Sequence, residues 1–267
     1  MTLPAEPLRA SQNARSAADE PRPAGVRSAP IISLRDLRAH CMSCSLRDLC
    51  VPLGLDAEGL RKVDALITAR QKLRKGESAF RAGDAFHSLY AVRVGSLKTM
   101  MLAEDGREQV AGYHILGDIV GMDGIGMHKH AVQAVALEDT EVCALPFERL
   151  EELARAVPQL QTNLHRFLSR EISRDQGVML LLGSMRAEER LATFLLGLAE
   201  RYRARGYSST QFVLRMTREE IGSYLGLKLE TVSRLFSRFR ADGIIDVSGR
   251  AVKLADVAAL KALTGRH

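Results

Sequence analysis

Two adjoining segments decide how this 267-residue chain is read: Thr217-Arg218-Glu219-Glu220-Ile221-Gly222-Ser223-Tyr224-Leu225-Gly226 and Leu227-Lys228-Leu229-Glu230-Thr231-Val232-Ser233-Arg234. Thr217 and Glu220 make a capping box, in which the hydroxyl caps the first turn and the glutamate reaches back to the cap. The helix they open runs from Arg218 to Leu225 and is broken by Gly226. A second helix runs from about Lys228 to Ala241 and ends at Gly243. Two short helices around a glycine-containing turn are the helix-turn-helix layout. Ile221, Leu225, Val232, Leu235 and Phe239 supply its apolar packing. Ile244 to Leu254 reads as a hairpin turning at Ser248-Gly249, a wing.

The other face of the second helix presents Glu230, Ser233, Arg234 and Arg238. A helix fits the DNA major groove, with its N-terminal residues facing the base edges. Arg234 can donate bidentately to guanine O6 and N7, Glu230 can accept from a cytosine amino group, and Ser233 can do either. Arg218, Lys228 and Arg238 suit phosphates, whose contacts give affinity and register rather than sequence reading. The competing reading is an ordinary amphipathic helix with a solvated charged face. Against it stand the capping box, Gly226, the wing and a net charge of +6.

Upstream, the spacing predicts a helix from Ala187 to Arg205 with Leu191, Phe194, Leu195, Leu198 and Tyr202 on one face. Before it, Leu160, Leu164, Leu168, Ile172, Asp175, Met179 and Leu182 advance by three or four residues, close to a coiled-coil seam. A dimer helix is expected, with Asp175 the odd member. Facing its own copy, the carboxylate would repel and lose hydration. Alternatively Asp175 lies just off the stripe, in water.

From Leu73 to Pro146 the texture changes to short apolar stretches punctuated by Gly76, Gly83, Gly95, Gly106, Gly112, Gly117 and Gly121. That spacing reads as a small β-roll or jelly roll. Residues 1–30 hold five of the eight prolines and read as a disordered tail.

Three of the four cysteines lie within ten residues, Cys41-x2-Cys44-x5-Cys50, and the fourth, Cys143, sits in the last predicted strand. A zinc site is one reading, although the second knuckle of a paired arrangement is missing. A transient thiol switch and inert buried thiols are two more. An iron–sulfur cluster accepts clustered cysteines plus a distant one. Spacing alone leaves these open.

Taken in order, the cysteine spacing, Cys143 before Ala144-Leu145-Pro146-Phe147, the seam helix and Leu229-Glu230-Thr231-Val232-Ser233-Arg234 resemble the fumarate and nitrate reduction regulator (FNR) branch of the CRP/FNR transcription factors. The resemblance covers about residues 38–264. It implies an α+β architecture: a tail (1–30), a cysteine-rich sensor segment (31–60), a cyclic-nucleotide-binding-like β-roll (61–157), a dimerisation helix (158–185) and a winged helix-turn-helix (186–267). It further implies an oxygen-labile [4Fe–4S] cluster on Cys41, Cys44, Cys50 and Cys143, and anaerobic activation of transcription by a homodimer. Double-stranded DNA with TTGAT-type inverted repeats would be read by Glu230, Ser233 and Arg234. Leu168, Ile172, Asp175 and Met179 would govern dimerisation. Glu104, Asp105, Gly106 and Arg107, a predicted hairpin, resemble a surface that touches RNA polymerase.

A cyclic nucleotide is not expected, because a buried phosphate needs an arginine partner. Between Glu108 and Glu148 there is no arginine, and Gly117-Asp118-Ile119-Val120-Gly121 lacks the glutamate such a pocket uses. His114, His128 and His130 are expected in turns and at the surface. The remaining alternatives are a regulator of the CRP type with another effector, and a zinc- or thiol-based redox regulator. No nucleophile–base pair or phosphate-cradling glycine loop points to an enzyme. No apolar run is long enough to span a bilayer and the N-terminus has no signal-peptide core, so a cytoplasmic location is expected.

Overall fold

The computed structural model describes residues 41–67, 69–102, 106 and 108–265, apart from the Met42 side chain, and all lie in one compact unit. Helix α1 (Ala57–Leu66) starts where Asp56 accepts a hydrogen bond from Gly59 N at 2.8 Å. Eight antiparallel strands follow: β1 (Ala69–Leu73), β2 (Ser78–Phe80), β3 (Ser88–Val94), β4 (Ser96–Leu102), β5 (Glu108–Ile115), β6 (Ile119–Val120), β7 (Gln133–Ala136) and β8 (Thr140–Pro146). They form two four-stranded sheets, ordered β1-β8-β3-β6 and β2-β7-β4-β5. Leu73, Phe80, Val92, Leu97, Val120 and Val142 fill the space between the sheets. The expected β-roll is present.

Helices α2 (Phe147–Ala156) and α3 (Pro158–Ser184) come next. Pro158 occupies the first turn of α3, where its missing N–H has no intrahelical partner to lose. Helix α4 (Ala187–Arg203) leads into a three-stranded wing and a helical pair. Strand β9 (Gln211–Val213) precedes α5 (Arg218–Leu225) and α6 (Leu229–Ala241). Then β10 (Ile245–Ser248) and β11 (Ala251–Leu254) form the hairpin, and α7 (Val257–Ala262) closes the chain. The sheet order is β10-β11-β9, so the predicted wing gains a strand that its short sequence did not announce. Only three residues long, β9 carries too little alternation to be read without its partner.

Two further cores place the functional surfaces. Val51, Val63, Leu89, Leu145, Leu150 and Leu160 lie between the cysteine loop, the β1-β8-β3-β6 sheet and the helices α1 to α3. The third core runs without a break from Val110, Tyr113 and Ile115 of β5 into Leu195, Ile221, Val232 and Phe239. The helix-turn-helix therefore packs directly on the β-roll of its own chain.

The seam of α3 is divided, which corrects the continuous stripe expected from periodicity. Leu160 is fully buried and Leu164 half-buried against α2 and the β-roll. The apolar residues left in solvent begin at Leu168. A second correction concerns the histidines. His114 and His130 are buried, the first within β5 and the second stacked on Phe80 with ring centroids 3.7 Å apart. Of these three histidines, His128 alone is exposed and in a turn, at φ 55°. Histidines in a glycine-punctuated strand region looked like turn residues because their one-face burial has no signature in the local sequence.

Candidate metal centre and nucleic-acid interface

Consecutive tight turns coil residues 41–55. Cys44 N donates to Cys41 O at 3.2 Å, Arg47 N to Cys44 O at 3.2 Å, and Leu53 N to Cys50 O at 3.0 Å. Leu46 and Val51 turn inward, 7% and 0% exposed. Burying each contributes roughly 1.5–3 kcal/mol, which offsets part of the entropy lost in ordering the loop. Two polar ties fix its ends. Cys41 N donates to Asp64 of α1 at 2.8 Å. Asn163 of α3, fully buried, donates to Val51 O at 3.0 Å and Leu53 O at 2.7 Å.

Cys143 lies in β8 between Arg70 of β1 and Ala91 of β3. It faces the loop, and Cys41, Cys44, Cys50 and Cys143 line one pocket whose other walls are mostly apolar. All four are free thiols, each half-buried. Burial pushes the Cys41 thiol up to about 12, helped by Asp64 and by the neighbouring Cys143 and Cys44. Burial likewise pushes Cys50 up to about 12. Cys143 is raised by burial, with Arg70 and Arg93 opposing. Such thiols ionise when a bound metal supplies the compensating charge. Among the described residues, no three His, Cys, Asp or Glu side chains close tightly enough to grip a single ion. Four thiols lining a largely apolar pocket fit an iron–sulfur centre in donor type and number, since four cysteines spread over more than one iron need not converge on a single ion.

Asp64 and Asn163 are the parts of this site that sequence reading missed. Neither lies near a cysteine in the chain, and an Asn on a helix face has no pattern that marks it as a loop anchor.

On α6, Val232, Leu235, Phe236 and Phe239 are buried, while Glu230, Ser233 and Arg234 are exposed together on the opposite face. Lys228 is exposed at the helix start. Gly226 joins the two helices at φ 62°, a left-handed backbone that side chains with a Cβ adopt at a cost. Arg238 is exposed but paired with Glu188 and, at 3.6 Å, Asp242. Arg218 differs from the free phosphate-binding cation expected of it. It is half-buried with its guanidinium carbon 3.2 Å from the Phe236 ring centroid, and its Nη1 is buried with no hydrogen-bond partner among the described residues. Burial lowers it to about 10, so it stays charged at neutral pH.

Along α3, Leu168, Ile172, Asp175 and Met179 all face solvent, Ile172 at 57% and Met179 at 72%. Desolvation raises the Asp175 carboxyl above its ordinary range, with Arg174 opposing. Of the hairpin residues expected to meet RNA polymerase, Gly106 is described, in a turn at φ 81°. Glu104, Asp105 and Arg107 lie outside the described residues. Beside α3, a groove against β5 is lined by Asp123, Glu171 and Asp175, and among its described lining residues there is no arginine.

The cyclic nucleotide-binding domain family matches residues 70–156, and the Crp-like helix-turn-helix domain family matches residues 189–263. The transcriptional activator protein Anr of Pseudomonas protegens is 50% identical over 228 residues, 85% of this chain and 93% of that protein. The fumarate and nitrate reduction regulatory protein of Salmonella typhimurium is 43% identical over 226 residues, 85% of this chain and 90% of that one. The chain belongs to the FNR branch of the CRP/FNR transcription regulators. FixK2 of Bradyrhizobium japonicum superposes with a TM-score of 0.68 at 33% identity, covering 73% of this chain and 96% of that one. A CRP/FNR chain is a DNA-binding regulator rather than an enzyme, as the sequence reading held. Among the described residues no helix is long and apolar enough to cross a membrane.

Proposed function

We propose that this chain is a cytoplasmic, oxygen-responsive transcription regulator. Cys41, Cys44, Cys50 and Cys143 hold a [4Fe–4S] cluster, and the loaded form is a dimer that reads inverted-repeat TTGAT-type sites and touches RNA polymerase. The observation carrying this reading is the convergence of the loop cysteines and Cys143 on one pocket. When bound, such a cluster supplies strong iron–thiolate bonds and a core that oxygen attacks.

The rest falls to the chain's own residues. Asn163 carries the Val51 and Leu53 carbonyls on α3, so the order of the loop and the order of the dimer helix are linked. In a dimer through Leu168, Ile172 and Met179, Asp175 faces its copy and opposes association. A fully switched monomer–dimer balance needs about 5.5 kcal/mol of differential stability, the scale that an ordered loop set against a repelling acid pair can span. On DNA, Glu230, Ser233 and Arg234 read base edges, while Lys228 and Arg238 hold phosphates. Among its described lining residues the groove beside α3 offers a nucleotide phosphate no arginine, which supports a regulator without a cyclic nucleotide.

The test is anaerobic purification, with iron and sulfide content and a visible spectrum before and after air. A brown protein that bleaches in air, and that Cys143→Ser renders colourless, is expected. A colourless, air-indifferent protein overturns the cluster and leaves zinc or thiol chemistry at the same four cysteines.

A further inference from the structure

The Gly117-Asp118 turn lies between β5 and β6. Asp118 is a buried carboxylate, its side chain 10% exposed. It is paired with Arg201 of α4, with Arg205 just beyond α4 at 2.6 Å, and with Arg174 of the dimer helix α3 at 3.7 Å. Arg205 also donates through Nε to Leu116 O and through Nη1 to Arg201 O at 2.8 Å. One carboxylate thus holds the β-roll, the dimer helix and the first helix of the DNA-binding part.

The same turn reaches the cysteine pocket from the other side. Gly117 sits at φ 84°, and a Cβ there would stand 3.3 Å from Leu49 Cβ and 3.8 Å from Arg205 Nε. Leu49 immediately precedes Cys50. Gly117 N donates to Val92 O at 2.8 Å, and Val92 N donates to Asp118 O at 2.9 Å. Val92 is itself a wall of the four-cysteine pocket. The cysteine loop and β3 at the pocket thus come within one residue of the Asp118 carboxylate.

We propose that Asp118 is the coupling residue through which the cysteine loop sets the placement of α4, and with it the DNA-binding helices, relative to the dimer helix. Asn163 ties the loop to α3 alone; Asp118 is what brings α4 into the same connection. The geometry suits a coupler because an arginine–carboxylate pair of this burial is directional and has discrete made and broken states. The regulatory half of this inference rests on the sensor reading given above; the mechanical half does not.

The experiment has two arms on the full chain. In the first, wild type and Asp118→Asn are loaded anaerobically, matched for iron content, and titrated with an inverted-repeat duplex before and after air. Wild type should lose affinity within the roughly 5- to 150-fold range of ordinary site–site couplings. Asp118→Asn, at equal iron content, should change less than about twofold, well under that range. A variant that responds as wild type does overturns the coupling. A wild type that takes up no iron or ignores air overturns the sensor reading instead.

The second arm needs no cluster. Amide exchange at residues 202–206 is followed in Leu49→Ala, Asp118→Asn and the double variant. The proposal expects Leu49→Ala to accelerate exchange there by about fivefold or more with Asp118 present, and to add nothing once Asp118 is Asn. Strictly additive effects sink it. Should Asp118→Asn leave three arginines too unbalanced to fold, Arg205→Gln, which spares Asp118 two partners, takes its place with the same expectation. General loosening by either variant would leave the interaction term at zero, so a merely structural role is told apart.

Discussion

Lys98 of β4 donates to Glu220 at 2.7 Å, and Glu220 is the residue that closes the capping box of α5. One side chain thereby caps the first helix of the helix-turn-helix and fastens it to the β-roll. Val110 N donating to Ser223 Oγ at 2.9 Å, and Arg215 paired with Glu138 at 3.1 Å, reinforce the seating. Burial alone would push the Glu220 carboxyl up. The Lys98 bond and the Thr217 N–H outweigh it and hold the group below its ordinary value. A folded pKa below the unfolded one stabilises above the unfolded value and is lost as pH falls through the folded one. Stability should therefore decline on acidification through the carboxylate range. Lys98→Ala should cost about 1–3 kcal/mol at neutral pH and flatten that decline, read by urea unfolding between neutral and acid pH.

Asn163→Ala should orphan the Val51 and Leu53 carbonyls, each worth about 1–3 kcal/mol when buried unpaired. The loss should appear as faster amide exchange at residues 51–55 together with a lower unfolding free energy. Unchanged exchange there would mean the loop is held by Leu46 and Val51 alone.

His114 lies against Thr99 Oγ1 at 3.1 Å and Arg174 Nη1 at 3.4 Å. Burial lowers its pKa to about 3, and Arg174 pushes the same way while Asp118 opposes. The unfolded imidazole titrates near 6.5. Between those values the unfolded chain takes a proton that the folded chain refuses, so stability falls as pH drops through the window. Replacing it, as His114→Gln, should remove up to about 1.4 kcal/mol per pH unit of that slope. An imidazole proton signal that titrates near 6.5 in the folded protein would contradict this.

Arg234→Ala should weaken cognate binding by about 1–3 kcal/mol and relax discrimination at one base pair. Lys228→Ala should weaken cognate and scrambled duplexes alike and reduce the salt slope by about one. Fluorescence anisotropy at several salt concentrations separates the two. Equal losses on both duplexes for Arg234→Ala would remove it from base reading.

If the proposed dimer forms along Leu168, Ile172 and Met179, Asp175→Ala should yield a dimer that persists in air, because the substitution would remove the opposing acid pair. Analytical ultracentrifugation in air decides it: a variant that sediments as a monomer would show that the charge does not set the balance.

The sequence by itself determined the elements whose signals are local. Thr217 with Glu220 marks a helix start, and Gly226 marks the turn. The spacing of Val232, Leu235 and Phe239 selects the buried face and hence the exposed Glu230, Ser233 and Arg234. Three cysteines in ten residues pointed to a site, and the chemistry proposed for it comes from the family resemblance. Tertiary structure alone decided what those residues meet. The three- and four-residue spacing groups Leu160, buried in its own chain, with Ile172, left in solvent, but four-residue steps drift round the helix, and only the packing of α2 and the cysteine loop shows which of the two is covered. Likewise the sequence of Gly117-Asp118-Ile119-Val120-Gly121 shows only that a nucleotide-pocket glutamate is missing, and nothing of what Asp118 meets. Its partners Arg174, Arg201 and Arg205 come from 56 to 87 residues away. Long-range charge pairing leaves no mark on local sequence, since each partner is placed by the packing of a different helix.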